Sequence, residues 1–106
     1  MKILLDECVT KKLIPYLKEN EIYTVTQKGW NGLKNGKLLE KAIGDGFDLL
    51  LTIDKNILYQ QNIENYEIII VVFDTPSSNI DYIRKFIPRF IELQPSFERR
   101  NLYIIS

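Results

Sequence analysis

Apolar residues in this chain come in short unbroken runs, and three of those runs end in an aspartate. They are Ile3-Leu4-Leu5-Asp6, Leu49-Leu50-Leu51-Thr52-Ile53-Asp54 and Ile68-Ile69-Ile70-Val71-Val72-Phe73-Asp74. Runs of this length and composition predict buried strands of a parallel sheet, covered on both faces. Lys2–Asp6, Phe47–Ile53 and Ile68–Phe73 are thus the first, third and fourth predicted strands. Glu21–Thr26 alternates and is rich in β-branched residues, which predicts the second. Asn101–Ile105 supplies a fifth.

Between the strands the period changes. Leu13, Ile14 and Leu17 make an apolar face within Thr10–Glu19, which predicts a helix. Pro15 fits if the helix proper starts near Lys12–Ile14, so that the proline falls in its first turn. Gln27–Gly36 reads as a loop, with Asn35 as the side-chain cap of a helix over Lys37–Ile43. Gly44-Asp45-Gly46 ends that helix. Lys55–Asn65 predicts one helical turn plus loop. A longer helix from about Asn79 to Leu93 should be kinked or split by Pro88. Strands alternating with helices predict βαβ crossovers. The expected fold is α/β, a three-layer α/β/α sandwich with a mainly parallel sheet of four to five strands, in a single domain over residues 1–106.

Composition narrows the chemistry. The chain has 106 residues, and its hydrophobic fraction of 45% is enough for one core. No apolar run approaches the roughly 20 residues that span a bilayer. The first strand meets an acid too early for a signal peptide, so cytoplasm is the expected location and no membrane partner is expected. Fourteen basic residues balance fourteen acidic ones, so bulk charge does not advertise nucleic-acid binding. Histidine is absent and Cys8 is the single cysteine. That excludes Ser-His-Asp and Cys-His catalysis, His-ligated metal sites and a disulfide framework.

Carboxylates remain. In an open α/β sheet, ligands bind at the carboxyl ends of the strands. Asp6, Asp54 and Asp74 should therefore share one rim, with Glu7 beside the first. Two carboxylates about 4 Å apart repel by roughly 4 kcal/mol at an effective dielectric near 20. A divalent cation relieves such repulsion, and oxygen-only ligands suit Mg2+ or Mn2+. Each residue also has a bland role. Asp6-Glu7 and Asp54 can cap the helices that follow them, and Asp74 before Thr75-Pro76 is the more ordinary turn residue. Thr52, on the same strand face as Asp54, can hold a metal-bound water or fix a carboxylate. Trp30 among Lys28, Lys34 and Lys37 can stack a base, though covering the core edge is the favoured role.

The opening Lys2-Ile3-Leu4-Leu5-Asp6-Glu7-Cys8-Val9 resembles the small PIN-like proteins, predicted nucleases of toxin–antitoxin systems related to VapC-type toxins. So do the Gly29–Leu39 loop and helix, and Phe47–Asn56 with Tyr59-Gln60-Gln61-Asn62. The resemblance implies Mg2+- or Mn2+-dependent cleavage of RNA. It also implies a small antitoxin partner encoded by a neighbouring gene. By motif, Asp6 matches the family's first-strand aspartate and Asp54 the aspartate of its Thr-x-Asp motif, and Asn35 and Asn56 stand where many relatives carry further acids. The resulting expectation assigns catalysis to Asp6, Glu7 and Asp54, and metal binding to Asp6, Asp54 and Asp74. Lys34, Asn35, Lys37, Lys55, Asn56, Gln60, Gln61 and Asn62 would position RNA. The alternative is a degenerate PIN-like module that binds RNA or protein without cleavage. Phe86, Ile87, Phe90 and Ile91 offer an antitoxin or homodimer surface, although a core role is favoured for most of them.

Overall fold

The computed structural model describes residues 1–60 and 62–106. Five strands form one sheet: β1 (Lys2–Leu5), β2 (Glu21–Thr24), β3 (Leu49–Thr52), β4 (Ile69–Phe73) and β5 (Leu102–Ile105). Their order is β2-β1-β3-β4-β5, and every neighbouring pair is parallel. The expected α/β architecture is present, with all five expected strands and no antiparallel member.

Burial explains the apolar runs. All of β3 and β4 is buried, and the edge strands β2 and β5 are mixed. Successive side chains point to opposite faces. Leu4, Leu50, Ile70 and Val72 meet Leu38, Leu39 and Ala42 of helix α2 (Asn35–Gly44) on one face. Ile3, Leu5, Leu49, Leu51, Val71 and Phe73 join Leu13, Leu17, Ile83, Ile87 and Phe90 on the other. Each central strand thus feeds two apolar clusters, which leaves no position for a polar residue until the strand ends.

The helices depart from expectation where local chemistry intervenes. Lys11–Leu17 is a 3₁₀ helix capped by the Thr10 side chain, not an α-helix with Pro15 in its first turn. Pro15 lacks an N–H and clashes with the carbonyl four residues back, which disfavours the α ladder. The second strand stops at Thr24 because a capping box starts helix α1 (Val25–Lys28) there. Gln27 N–H donates to Thr24 Oγ1 at 3.0 Å, and Thr24 N–H donates to Gln27 Oε1 at 2.8 Å. Gly29 at φ 75° ends this turn. Asn35 is inside α2 rather than capping it; Lys34 holds the cap position without a side-chain bond.

The late helix is split as Pro88 predicted. It consists of α3 (Ile80–Ile83), a 3₁₀ turn (Arg84–Phe86) and α4 (Ile87–Leu93), with Pro88 in the first turn of α4. Among the described residues no helix is long and apolar enough to cross a membrane. Trp30 is half-buried, packed edge-on to Phe47 at 6.1 Å, in keeping with its core-edge role.

Candidate functional site

Strand order decides which acids meet. Chain direction reverses its progress across the sheet between β1 and β3, and such switch points open a crevice at the carboxyl ends of the strands. Leu5 lies in register with Leu51, so Asp6 falls beside Thr52. Asp6 N–H donates to Leu51 O at 3.0 Å, which extends the pairing one residue past β1.

Thr52 is fully buried, alone among the described polar side chains. Its hydroxyl donates to Asp6 Oδ2 at 2.7 Å and accepts from Asp54 N–H at 3.0 Å. Cys8 Sγ lies 3.5 Å from the same oxygen. With the hydroxyl proton directed at Asp6, the thiol is the donor in that contact. Burial pushes the Cys8 thiol up, and the nearby Asp6 and Asp54 carboxylates push it the same way against its hydrogen bond to Thr52. Thr52 therefore fixes the Asp6 carboxylate, one of its two expected roles.

Asp6 Oδ1 also accepts from Glu7 N–H at 2.9 Å. Asp54 caps the 3₁₀ helix Lys55–Tyr59, its Oδ1 accepting from Asn56 N–H at 2.9 Å. Each of these oxygens has two lone pairs, so one bond apiece leaves acceptor capacity for a cation. A cleft of about 330 Å³ opens beside Asp6 and Glu7, with Lys11, Thr24 and Gln27 on its walls.

The other expected ligands face elsewhere. Glu7 Oε2 accepts from Asn31 Nδ2 at 3.1 Å, and Oε1 accepts from Gly32 N–H at 3.4 Å. Glu7 thus tethers the loop that carries Trp30. Asp74 is at the end of β4, on the same rim, in an ion pair with Lys55. Among the described residues no three acidic or thiol side chains converge on one point.

The predicted RNA-positioning residues divide. Lys55 and Asn56 follow Asp54 directly, and Asn56 is exposed. Gln60 adjoins the start of α2: a Cβ at Gly36 would lie 3.8 Å from Gln60 Nε2 and 3.4 Å from the Tyr66 hydroxyl. Asn62 is exposed in the left-handed region at φ 60°. Gln61 lies outside the described residues. Lys34 is exposed before α2, and Lys37 pairs with Glu40 at 3.8 Å. Lys37 lines a separate groove with Trp30 and Asp45, the residue that pairs with Lys2 of β1.

Thr52, expected only to fix a carboxylate or hold a water, holds the centre of the site. One residue outside the expected set stands out. Tyr59, 83% exposed, projects from the turn after Asp54. Among known proteins, no family model matches the chain, and no curated protein or solved structure matches it.

Proposed function

We propose that this chain is a metal-dependent ribonuclease with a three-layer PIN-like fold, the toxin of a cytoplasmic toxin–antitoxin pair. The observation that carries the reading is the attachment of both Asp6 and Asp54 to one buried hydroxyl at the β1/β3 switch point. Two carboxylates suit Mg2+ or Mn2+, which keeps several waters and completes its shell with substrate phosphate rather than with further protein ligands. The donor set is all oxygen and fits such an ion; Asp6 and Asp54 would hold it. When bound, the ion supplies charge neutralisation at the scissile phosphate and a water of lowered pKa.

The chain's own residues do the rest. Thr52 keeps the Asp6 carboxylate in one rotamer and links it to the Asp54 backbone. Glu7 tethers the Trp30 loop through Asn31 and Gly32. Lys11 on the cleft wall offers a cation to a phosphate entering beside Asp6, and Tyr59 offers a stacking face. The amides of Asn56 and Gln60 suit hydrogen bonding to sugar and base edges. Ile91, 54% exposed on α4, is left for a partner, since Ile87 and Phe90 are buried.

A second reading, a non-cleaving module, is favoured by one observation: Glu7 is bound to the Trp30 loop and Asp74 to Lys55, so neither adds a third ligand. Calorimetric titration with Mn2+ separates the two. Stoichiometric binding in the wild type, lost in the Asp6→Asn, Asp54→Asn double variant, together with Mn2+-dependent RNA cleavage, supports the nuclease. RNA binding without cleavage at saturating Mn2+ supports the module. Asp6→Asn should also relieve growth inhibition while its circular dichroism stays that of the wild type.

A further inference from the structure

A second groove, of about 270 Å³, is lined by Pro76, Tyr82, Lys85, Phe86, Arg89 and Ser106. Pro76 follows the end of β4 and Ser106 follows β5. Both strands run parallel to β1 and β3, so the groove occupies the same rim as Asp6 and Asp54. One to three strand spacings separate them, roughly 5–15 Å.

Its lining is unlike that of the first cleft: it contains no acidic side chain. Lys85 makes no ion pair among the described residues, and its ammonium is 5.6 Å from the centre of the Tyr82 ring. Tyr82 is 46% exposed. Arg89 pairs with Glu92 at 3.1 Å, but both are well exposed, and such pairs exchange readily for a phosphate. Phe86 gives the groove a fixed wall, stacked on buried Phe73 at 5.1 Å.

We propose that this groove is a subsite for single-stranded RNA, with an unpaired base on Tyr82 and flanking phosphates on Lys85 and Arg89. The inference rests on the nuclease reading and adds the residues that hold the strand. Its physical reason is charge. The chain has no net charge, and Asp6 and Asp54 repel a polyanion. Affinity for the strand must therefore come from cations and aromatic faces set apart from the carboxylates. The stacking face requires an unpaired base, which selects single strands over duplex.

The test is fluorescence anisotropy of a labelled single-stranded oligouridine, without divalent metal, on the full chain. Tyr82→Ala should weaken binding about tenfold. Lys85→Ala with Arg89→Ala should make the log–log salt dependence shallower by about 1.4, the value for two phosphates on a single strand. All of these variants should keep wild-type circular dichroism and wild-type Mn2+ binding. Wild-type RNA affinity and salt slope in the folded variants would overturn the subsite while leaving the Asp6–Asp54 site intact. Loss of Mn2+ binding as the only consequence, or displacement of the RNA by polyglutamate at lower concentration, would overturn it as well. Failure of the Asp6→Asn, Asp54→Asn variant to alter Mn2+ binding would instead count against the nuclease reading alone.

Discussion

The hydroxyl of Thr52 donates to Asp6 Oδ2 at 2.7 Å, joining the ends of two adjacent strands whose residues are 46 positions apart in the chain. The same oxygen accepts the Asp54 N–H. One buried atom thus fixes the Asp6 carboxylate and the backbone of Asp54.

Thr52→Val keeps the shape of the side chain and removes that atom. It leaves Asp6 Oδ2 and the Asp54 N–H each without that partner, in a partly buried region. Stability should fall by about 1–3 kcal/mol, read from urea denaturation midpoints. Mn2+ affinity should fall about 10–100-fold, as for other residues that orient a ligand. Thr52→Ser should restore most of the metal affinity. A Val variant that binds Mn2+ as tightly as the wild type would remove Thr52 from the site.

Glu7→Ala separates loop tethering from metal binding. Without the Asn31 and Gly32 contacts, the Gly29–Gly32 amides should exchange faster with deuterium. Mn2+ affinity should change less than twofold. A loss of Mn2+ binding as large as that of Asp6→Asn would place Glu7 among the metal ligands.

Acid sensitivity has an identifiable source away from the site. Lys28 Nζ is 2.7 Å from Asp45 Oδ2 and Lys2 Nζ is 3.5 Å from it. The hydrogen bond from Lys28, with the charges of both lysines, holds the Asp45 carboxyl below its usual value against partial desolvation. A lowered folded-state pKa stabilises the protein above the unfolded value, near 3.9, and that contribution disappears as pH falls through the folded value. Asp45→Asn should therefore lower the thermal midpoint at neutral pH. The gap to wild type should close progressively in the acid range below about pH 4. A gap independent of pH would assign the effect to packing.

Phe90 is fully buried, edge-on to Phe73 at 6.0 Å and tilted against Phe97 at 5.7 Å. Phe90→Ala should cost about 3–5 kcal/mol, a large share of the stability of a domain this small. Denaturation with an unchanged m-value would confirm that the loss is in the native core. A change under about 1 kcal/mol would show that the aromatic cluster repacks.

Legibility differed by kind of information. The three aspartates were placed at strand ends by adjacency alone, because a fully buried strand tolerates no polar residue before its end. The Pro88 break followed likewise from a missing N–H. The 3₁₀ form of Lys11–Leu17 and the Thr24–Gln27 capping box rest on single local residues, Pro15 and Thr24, against the longer apolar and β-branched patterns that surround them.

Hydrophobic runs, the rim on which Asp6, Asp54 and Asp74 fall, and the absence of histidine chemistry were determined by the sequence itself. These depend on neighbours within a few residues, where side-chain period and backbone sterics act. Tertiary structure alone decided that β1 lies between β2 and β3, so that Asp6 meets Thr52. It also turned Glu7 toward Asn31, paired Asp74 with Lys55 and brought Tyr82, Lys85 and Ser106 around one groove. Those outcomes rest on strand order and register between segments far apart in the chain. They emerge only when two apolar faces of one sheet are covered together, a condition that no local pattern encodes.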